Sequence, residues 1–136
     1  QMVKEYQFWF SQVSDVSVTV AAASWNASYG VSSTPTNWAA NQTQTYSVTV
    51  TNNGNQTWNA GGSNPVHLGV HFMSGTNWLT DQRFTLPADL APGASTSLTI
   101  AVTAPNTSGT LVLEYQMVKE YQFWFSQVSD VSVTVS

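Results

Sequence analysis

Residues 1–20 and residues 116–135 are the same string, QMVKEYQFWFSQVSDVSVTV. Identity over that length does not arise by chance, so the chain either comes from a tandem array with a period of 115 residues or carries a duplicated segment. Both origins make residues 21–135 one repeat. The string is patterned like a strand, and its apolar set is Val3, Tyr6, Phe8, Trp9, Phe10, Val13, Val16, Val18 and Val20. The second copy supplies the equivalent set Val118, Tyr121, Phe123, Trp124, Phe125, Val128, Val131, Val133 and Val135. Side chains of this size each contribute roughly 1.5–3 kcal/mol when fully buried, and an apolar strand edge left open recruits other chains. Two identical segments therefore compete for one slot in one domain. The copy without the slot is expected to pair with a neighbouring copy of the chain, by strand exchange or head-to-tail assembly.

Between the two copies, turn signals punctuate short alternating runs, which is the pattern of an all-β antiparallel sandwich or barrel. In residues 45–51, Tyr46, Val48 and Val50 share one face and hydroxyls line the other. Residues 65–73 put Val66, Leu68, Val70 and Phe72 inward, with His67, Gly69, His71 and Met73 facing the other way. Short strands follow at 83–86 and 97–102, separated by the tight turn Ala91-Pro92-Gly93-Ala94. Residues 111–118 and 121–125 flank Lys119-Glu120 as a hairpin, and Val131, Val133 and Val135 alternate in a closing strand. Residues 21–41 hold Trp25, Tyr29, Pro35 and Trp38 among Ser, Thr and Asn, and are expected to be a linker running into a first edge strand. The sandwich itself is expected over 42–136, with residues 1–20 as the end of a preceding repeat or a donor segment.

Composition narrows the partners. Only 7% of residues are charged, the formal net charge is -4, and Lys4, Arg83 and Lys119 are the three basic side chains. A chain so poor in cations is not built to hold nucleic acid or an anionic membrane surface. A surface solvated by hydroxyls and amides points instead to an extracellular or cell-surface protein. With no cysteine, cohesion has to come from packing. No apolar run reaches the roughly 20 residues of a membrane span, and the first residues do not read as a signal peptide, so insertion into a membrane is not expected. Asn26, Asn41, Asn55 and Asn106 each open an Asn-x-Ser/Thr sequon and are candidate glycosylation sites.

Four segments then carry a resemblance. They are Asn52-Asn53-Gly54-Asn55-Gln56-Thr57-Trp58, Leu90-Ala91-Pro92-Gly93, Thr103-Ala104-Pro105 with Gly109, and Trp124 after a hairpin. Their order resembles the four-tryptophan immunoglobulin-like domain, the next-to-breast-cancer-gene type, known from selective-autophagy cargo receptors and bacterial surface and secreted proteins. The resemblance covers about residues 42–135. It implies an immunoglobulin-like antiparallel β-sandwich of about seven strands, with Trp58 and Trp124 as core anchors and no catalysis. Low charge and the repeat fit the bacterial surface, tandem-repeat version of that family. Lys119-Glu120-Tyr121 departs from it, since Glu-Gly is expected at that turn, and the departure bears on local turn geometry.

The residues themselves offer little chemistry. His67 and His71 lie four apart on one predicted strand, roughly 13 Å at about 3.3 Å per residue, too far to chelate one metal. Asp81, Asp89 and Asp130 are scattered, so no calcium loop forms, and no cofactor is expected. Paired acids, a nucleophile elbow and a Ser/His/Asp order are all lacking, and Glu114, the one acid placed mid-strand, is expected to solvate an outward face. The chain is therefore expected not to be an enzyme. Its expected role is a structural module of a surface fibre, stalk or sheath, joined end to end into a filament. The alternative is a carbohydrate-binding module using Trp25, Trp38 and Trp78 as flat faces for sugar rings.

Overall fold

The computed structural model of the protein describes residues 22–136. The apolar set from Val3 to Val20 therefore lies outside the described residues. Nine strands run in chain order: β1 (Ala27–Gly30), β2 (Asn37–Trp38), β3 (Thr43–Asn52), β4 (Val66–Ser74), β5 (Asn77–Trp78), β6 (Gln82–Thr85), β7 (Ser95–Thr103), β8 (Gly109–Lys119) and β9 (Phe123–Val135). They form two sheets, one ordered β1-β3-β7 and one ordered β2-β9-β8-β4-β5 with β6 also on β4. The protein is an all-β immunoglobulin-like sandwich. Every strand pair is antiparallel except β2 with β9, where the chain crosses from one sheet to the other.

Period-two alternation builds the core from both sheets. Tyr46, Val48 and Val50 of β3 and Leu98, Ile100 and Val102 of β7 face Val66, Leu68, Val70 and Phe72 of β4 and Leu111, Leu113, Tyr115 and Met117 of β8, all of them buried. Trp58 is wholly buried and meets the Phe125 ring edge-on at 5.4 Å. A chain of hydroxyls crosses this apolar interior, Thr34 Oγ1 to Tyr115 OH (2.8 Å) and Tyr115 OH to Tyr46 OH (2.6 Å). Thr34 Oγ1 closes the chain by donating to the Val31 carbonyl at 2.6 Å, so each buried hydroxyl has a partner.

Two expectations are revised here. Within residues 21–41, β1 is an edge strand of the three-stranded sheet as expected, but residues 31–41 are not a linker, because Trp38 is buried in the core and packs edge-on against Tyr46 and Phe72. The hairpin between β8 and β9 is not a two-residue turn at Lys119-Glu120. Lys119 pairs with Phe123, so Glu120, Tyr121 and Gln122 form a three-residue loop, and Tyr121 sits at φ 65°. That is the left-handed region, where an expected Gly would be unstrained and a bulky side chain costs about 1–2 kcal/mol.

β9 is continuous over thirteen residues, where the sequence suggested two separate runs. A bulge makes this work. The β8 partner of Trp124 is Val118 and that of Val128 is Gln116, so Phe125, Ser126 and Gln127 oppose Met117 alone. The bulge leaves backbone groups without ladder partners, and Tyr29 of β1 fills the gap: its hydroxyl accepts from the Met117 N–H (2.7 Å) and donates to the Gln127 carbonyl (2.9 Å). Burial pushes the Tyr29 hydroxyl well above the usual phenol range, so it remains a donor.

Candidate functional site

Among the described residues most of the charges, Asp89 and Lys119 excepted, gather on one surface. Asp81, Arg83, Glu114, Glu120 and Asp130, together with His67 and His71, lie on or beside the outer face of the larger sheet. The alternation of β4 explains the histidines, since Val66, Leu68 and Val70 point into the core and His67, Gly69 and His71 point away from it. Trp124 of β9 lies across Gly69. A Cβ at Gly69 would fall 2.7 Å from the Trp124 ring and 2.9 Å from the Gln116 carbonyl oxygen. Gly69→Ala is thus expected to cost about 1–3 kcal/mol by forcing the ring off the sheet. Chemical denaturation followed by tryptophan fluorescence measures it, and an unchanged midpoint refutes the contact.

His71 is the centre of the patch. Its ring is wholly buried, stacked at 3.6 Å under Trp78 of β5, with Trp124 edge-on at 5.1 Å. Nε2 lies 3.2 Å from Asp81 Oδ1, while Nδ1 lies 3.6 Å from Glu114 Oε1 without a hydrogen bond. Burial lowers the His71 pKa, outweighing the Asp81 charge, so the ring is neutral and donates from Nε2 to Asp81. Arg83 grips Asp81 through Nε and Nη2 at 2.9 and 2.8 Å, reaches Glu120 at 2.7 Å, and lies 4.6 Å over the Trp124 ring. Burial pushes the Asp81 and Glu120 carboxyls up, but the Arg83 bonds and charge hold both below their ordinary values. Glu120 also accepts from His67 Nδ1 at 2.8 Å.

Glu114 departs from the solvating role expected of it. Its side chain is mostly covered, and it stands directly across the ladder from Asp130. Burial, and then the Asp130 charge, raise its pKa. Among the described residues no group of three or more metal-ligating side chains converges.

The aromatic candidates separate. Trp38 is 2% exposed and has no face for a ligand, because the β2 crossover draws it into the core. Trp25 is partly buried against Phe123 and Phe125 with the Lys119 ammonium 5.3 Å above its ring. Trp78 is 42% exposed, one face covered by His71, and Trp124 meets it at 70° rather than coplanar. Trp124 is also not the core anchor that the resemblance implied. In a strand with period two it falls on the opposite side from Phe125, Val133 and Val135, which are buried, and so it lies on the outer face with the exposed Val128. Val118 is buried, Val131 is partly buried, Phe123 is 37% exposed, and Tyr121 at the hairpin tip is 91% exposed.

The sequon asparagines are also placed. Asn41, Asn55 and Asn106 are exposed and Asn26 is half-buried. Asn41 Nδ2 donates to Asn106 Oδ1 at 3.3 Å, and Asn26 Oδ1 accepts from Gln127 at 2.8 Å.

The two ends of the described chain are anchored at opposite poles. At the entry pole Asn55 clamps the incoming segment: its Nδ2 donates to the Ala22 carbonyl (2.8 Å), its Oδ1 accepts from the Ser24 N–H (2.8 Å), and its N–H donates to the Ser24 carbonyl (3.1 Å). Gly54 is required beside that clamp, because a Cβ there would lie 2.3 Å from the Ser24 oxygen. At the exit pole the Ser136 N–H donates to the Trp38 carbonyl (2.8 Å) and the Ser136 carbonyl accepts from Ala40 (2.9 Å). Ala22 adjoins the far end of β3 and Ser136 its near end, and ten residues of strand span about 33 Å. Sequence reasoning missed the clamp and the Tyr29 plug, since both join residues far apart in the chain; the Asn-rich turn after β3 was their one local trace.

Comparison with known proteins gives a consistent fold. The family model described as the Ig-like domain from next to BRCA1 gene matches residues 33–135. No curated protein matches the chain. Among solved structures, a CARDB domain from Pyrococcus furiosus is 15% identical, covers 83% of this chain and 94% of that one, and superposes with a TM-score of 0.50, a likeness of fold alone. A β-glucosidase from Listeria innocua is 12% identical over 84% of this chain and 16% of its own, with a TM-score of 0.47, too distant to bear on activity. Among the described residues no helix is long and apolar enough to cross a membrane.

Proposed function

The chain belongs to the family of Ig-like domains from next to BRCA1 gene, and from that membership and the path of its backbone we propose that it is a non-catalytic structural module of an extracellular or cell-surface fibre, stalk or sheath, linked end to end with copies of itself. The observation that carries this reading is the anchoring of Ala22 and Ser136, the two ends of the described residues, at opposite poles. A module whose chain enters and leaves at one pole folds back on its neighbour; one that crosses pole to pole extends. Residues 1–20, identical to the segment that ends β8 and forms β9, are read as the last strands of a preceding unit. In a chain where that unit is incomplete, the same segment is the natural source of association with other copies. The low charge and the hydroxyl-rich strand faces support the setting outside the cell.

The test is a chain lengthened by one period, residues 1–135 followed by 21–136, measured by small-angle X-ray scattering beside the original. The maximum dimension should grow by roughly 35–45 Å, the length of one strand layer with its loops. Growth well below that, with units side by side, refutes the reading. Saccharide binding is favoured less, because it needs two open coplanar aromatic faces and Trp78 and Trp124 meet at 70°.

A further inference from the structure

We infer that the entry pole, with Tyr121 at its tip, is the seat of a unit-to-unit interface whose occupant is the exit pole of the preceding copy in the same chain. The inference rests on the tandem reading above and adds what the junction is made of. In an array with a period of 115 residues, the position after Val20 is equivalent to Ser136. Ser136 is held at the exit pole by Trp38 and Ala40, and the next residue, Ala22, is held at the entry pole by Asn55. No free residue separates the two anchors. Successive units must therefore meet pole against pole rather than hang on a tether.

The entry pole is built for such a meeting. Tyr121 is 91% exposed and left-handed at φ 65°, so an isolated unit carries both an unburied aromatic ring and backbone strain without return from its own packing. The duplicated string places Tyr6 at the equivalent point of the preceding unit. Beside Tyr121, where the entry pole meets the outer face of the larger sheet, opens a cleft of about 230 Å³ whose lining includes Arg83, Lys119, Glu120, Phe123 and Trp124. Aromatic rings and an arginine around a cleft are what the centre of a protein interface is made from. The occupant is mostly polar and uncharged: the exit-pole loops at residues 39–42 and 104–109 carry no charged side chain and offer Asn41, Asn106, Thr107 and Ser108 as amides and hydroxyls, and Asp81, in the loop after β5, is held by Arg83. Head-to-tail stacking thus sets the aromatic tip and cleft of one pole against loops that are mainly amides and hydroxyls.

The experiment uses the two-unit chain with spin labels in the middle of each unit and reads the distance distribution by double electron–electron resonance. One narrow peak is expected, and Tyr121→Gly in the second unit should at least double its width, while Tyr121→Phe keeps it narrow. The same Tyr121→Gly in the original 136-residue chain should raise the melting temperature by about 2–5 °C, because it relieves the turn. That opposite sign separates a contact residue from a merely structural one. A broad peak in the parent two-unit chain, or a narrow one indifferent to Tyr121→Gly, overturns the interface while leaving end-to-end linkage intact. A mean distance matching side-by-side units overturns the tandem reading itself.

Discussion

Deleting residues 116–135 is expected to abolish the folded monomer, whereas deleting residues 1–20 leaves it folded, although the two deletions remove the same twenty side chains. The difference lies in position. Residues 116–135 supply all of β9 and the end of β8, and with them Met117, Val118, Phe125, Val133 and Val135 of the buried apolar set. At roughly 1.5–3 kcal/mol for each fully buried side chain, their loss alone is comparable to the 5–15 kcal/mol that typically holds a domain folded. It also strips the outer ladder from β8 and the parallel partner from β2.

The spare copy is not expected to step in from the same chain while the Asn55 clamp holds. Seated in the β9 slot, Val20 would lie at the exit pole, where Val135 pairs with Trp38. Ala22 is held at the entry pole, about 33 Å away along β3. Two residues reach about 7 Å. Any folded material from the 116–135 deletion is therefore expected to be assembled from several chains. Circular dichroism melts with light scattering read the outcome: a cooperative, monomeric melt for the 1–20 deletion and none for the other. A folded monomer lacking residues 116–135 would show that the entry clamp can be given up, and the pole-to-pole path with it.

Trp58→Ala is expected to lower stability by about 3–5 kcal/mol, which for a domain of this size is roughly 10–20 °C in melting temperature. Trp58 is fully buried, makes an edge-on contact with Phe125, and its backbone exchanges a pair of 2.9 Å hydrogen bonds with Leu90. That bridge is the tie between the long β3–β4 connection and the turn before β7. Removing the indole leaves a hole between the sheets that Val and Leu neighbours anchored in ladders cannot close. Thermal unfolding measures the loss, and a shift under about 3 °C would mean the indole sits in a site able to collapse.

Much of the fold was legible in the sequence because strand signals are local. Tyr46, Val48 and Val50, or Leu98, Ile100 and Val102, declare a buried face by spacing alone, and Pro92-Gly93 declares the turn that Gly93 makes at φ 82°. Trp38 was less legible, because a two-residue strand has no period to read. Trp124 stands between Phe123 and Phe125, and that run of three aromatic residues hides which side faces in. The outer-face patch was harder still: His71, Trp78, Arg83 and Trp124 come from four strands, and their stacking depends on Gly69 leaving room.

By itself the sequence determined an all-β antiparallel sandwich, its principal strands and the family motifs, together with a duplicated segment of one period. Alternation and turn chemistry are set within a few residues, so they can be read without knowing any partner. Only the tertiary structure decided that Trp38 goes in and Trp124 out, that Tyr29 bonds Met117, 88 residues away, opposite the β9 bulge, and that Ala22 and Ser136 are anchored at opposite poles. Those outcomes depend on which surfaces meet across the sandwich, and a local pattern tells which side of a strand is greasy but not what will cover it.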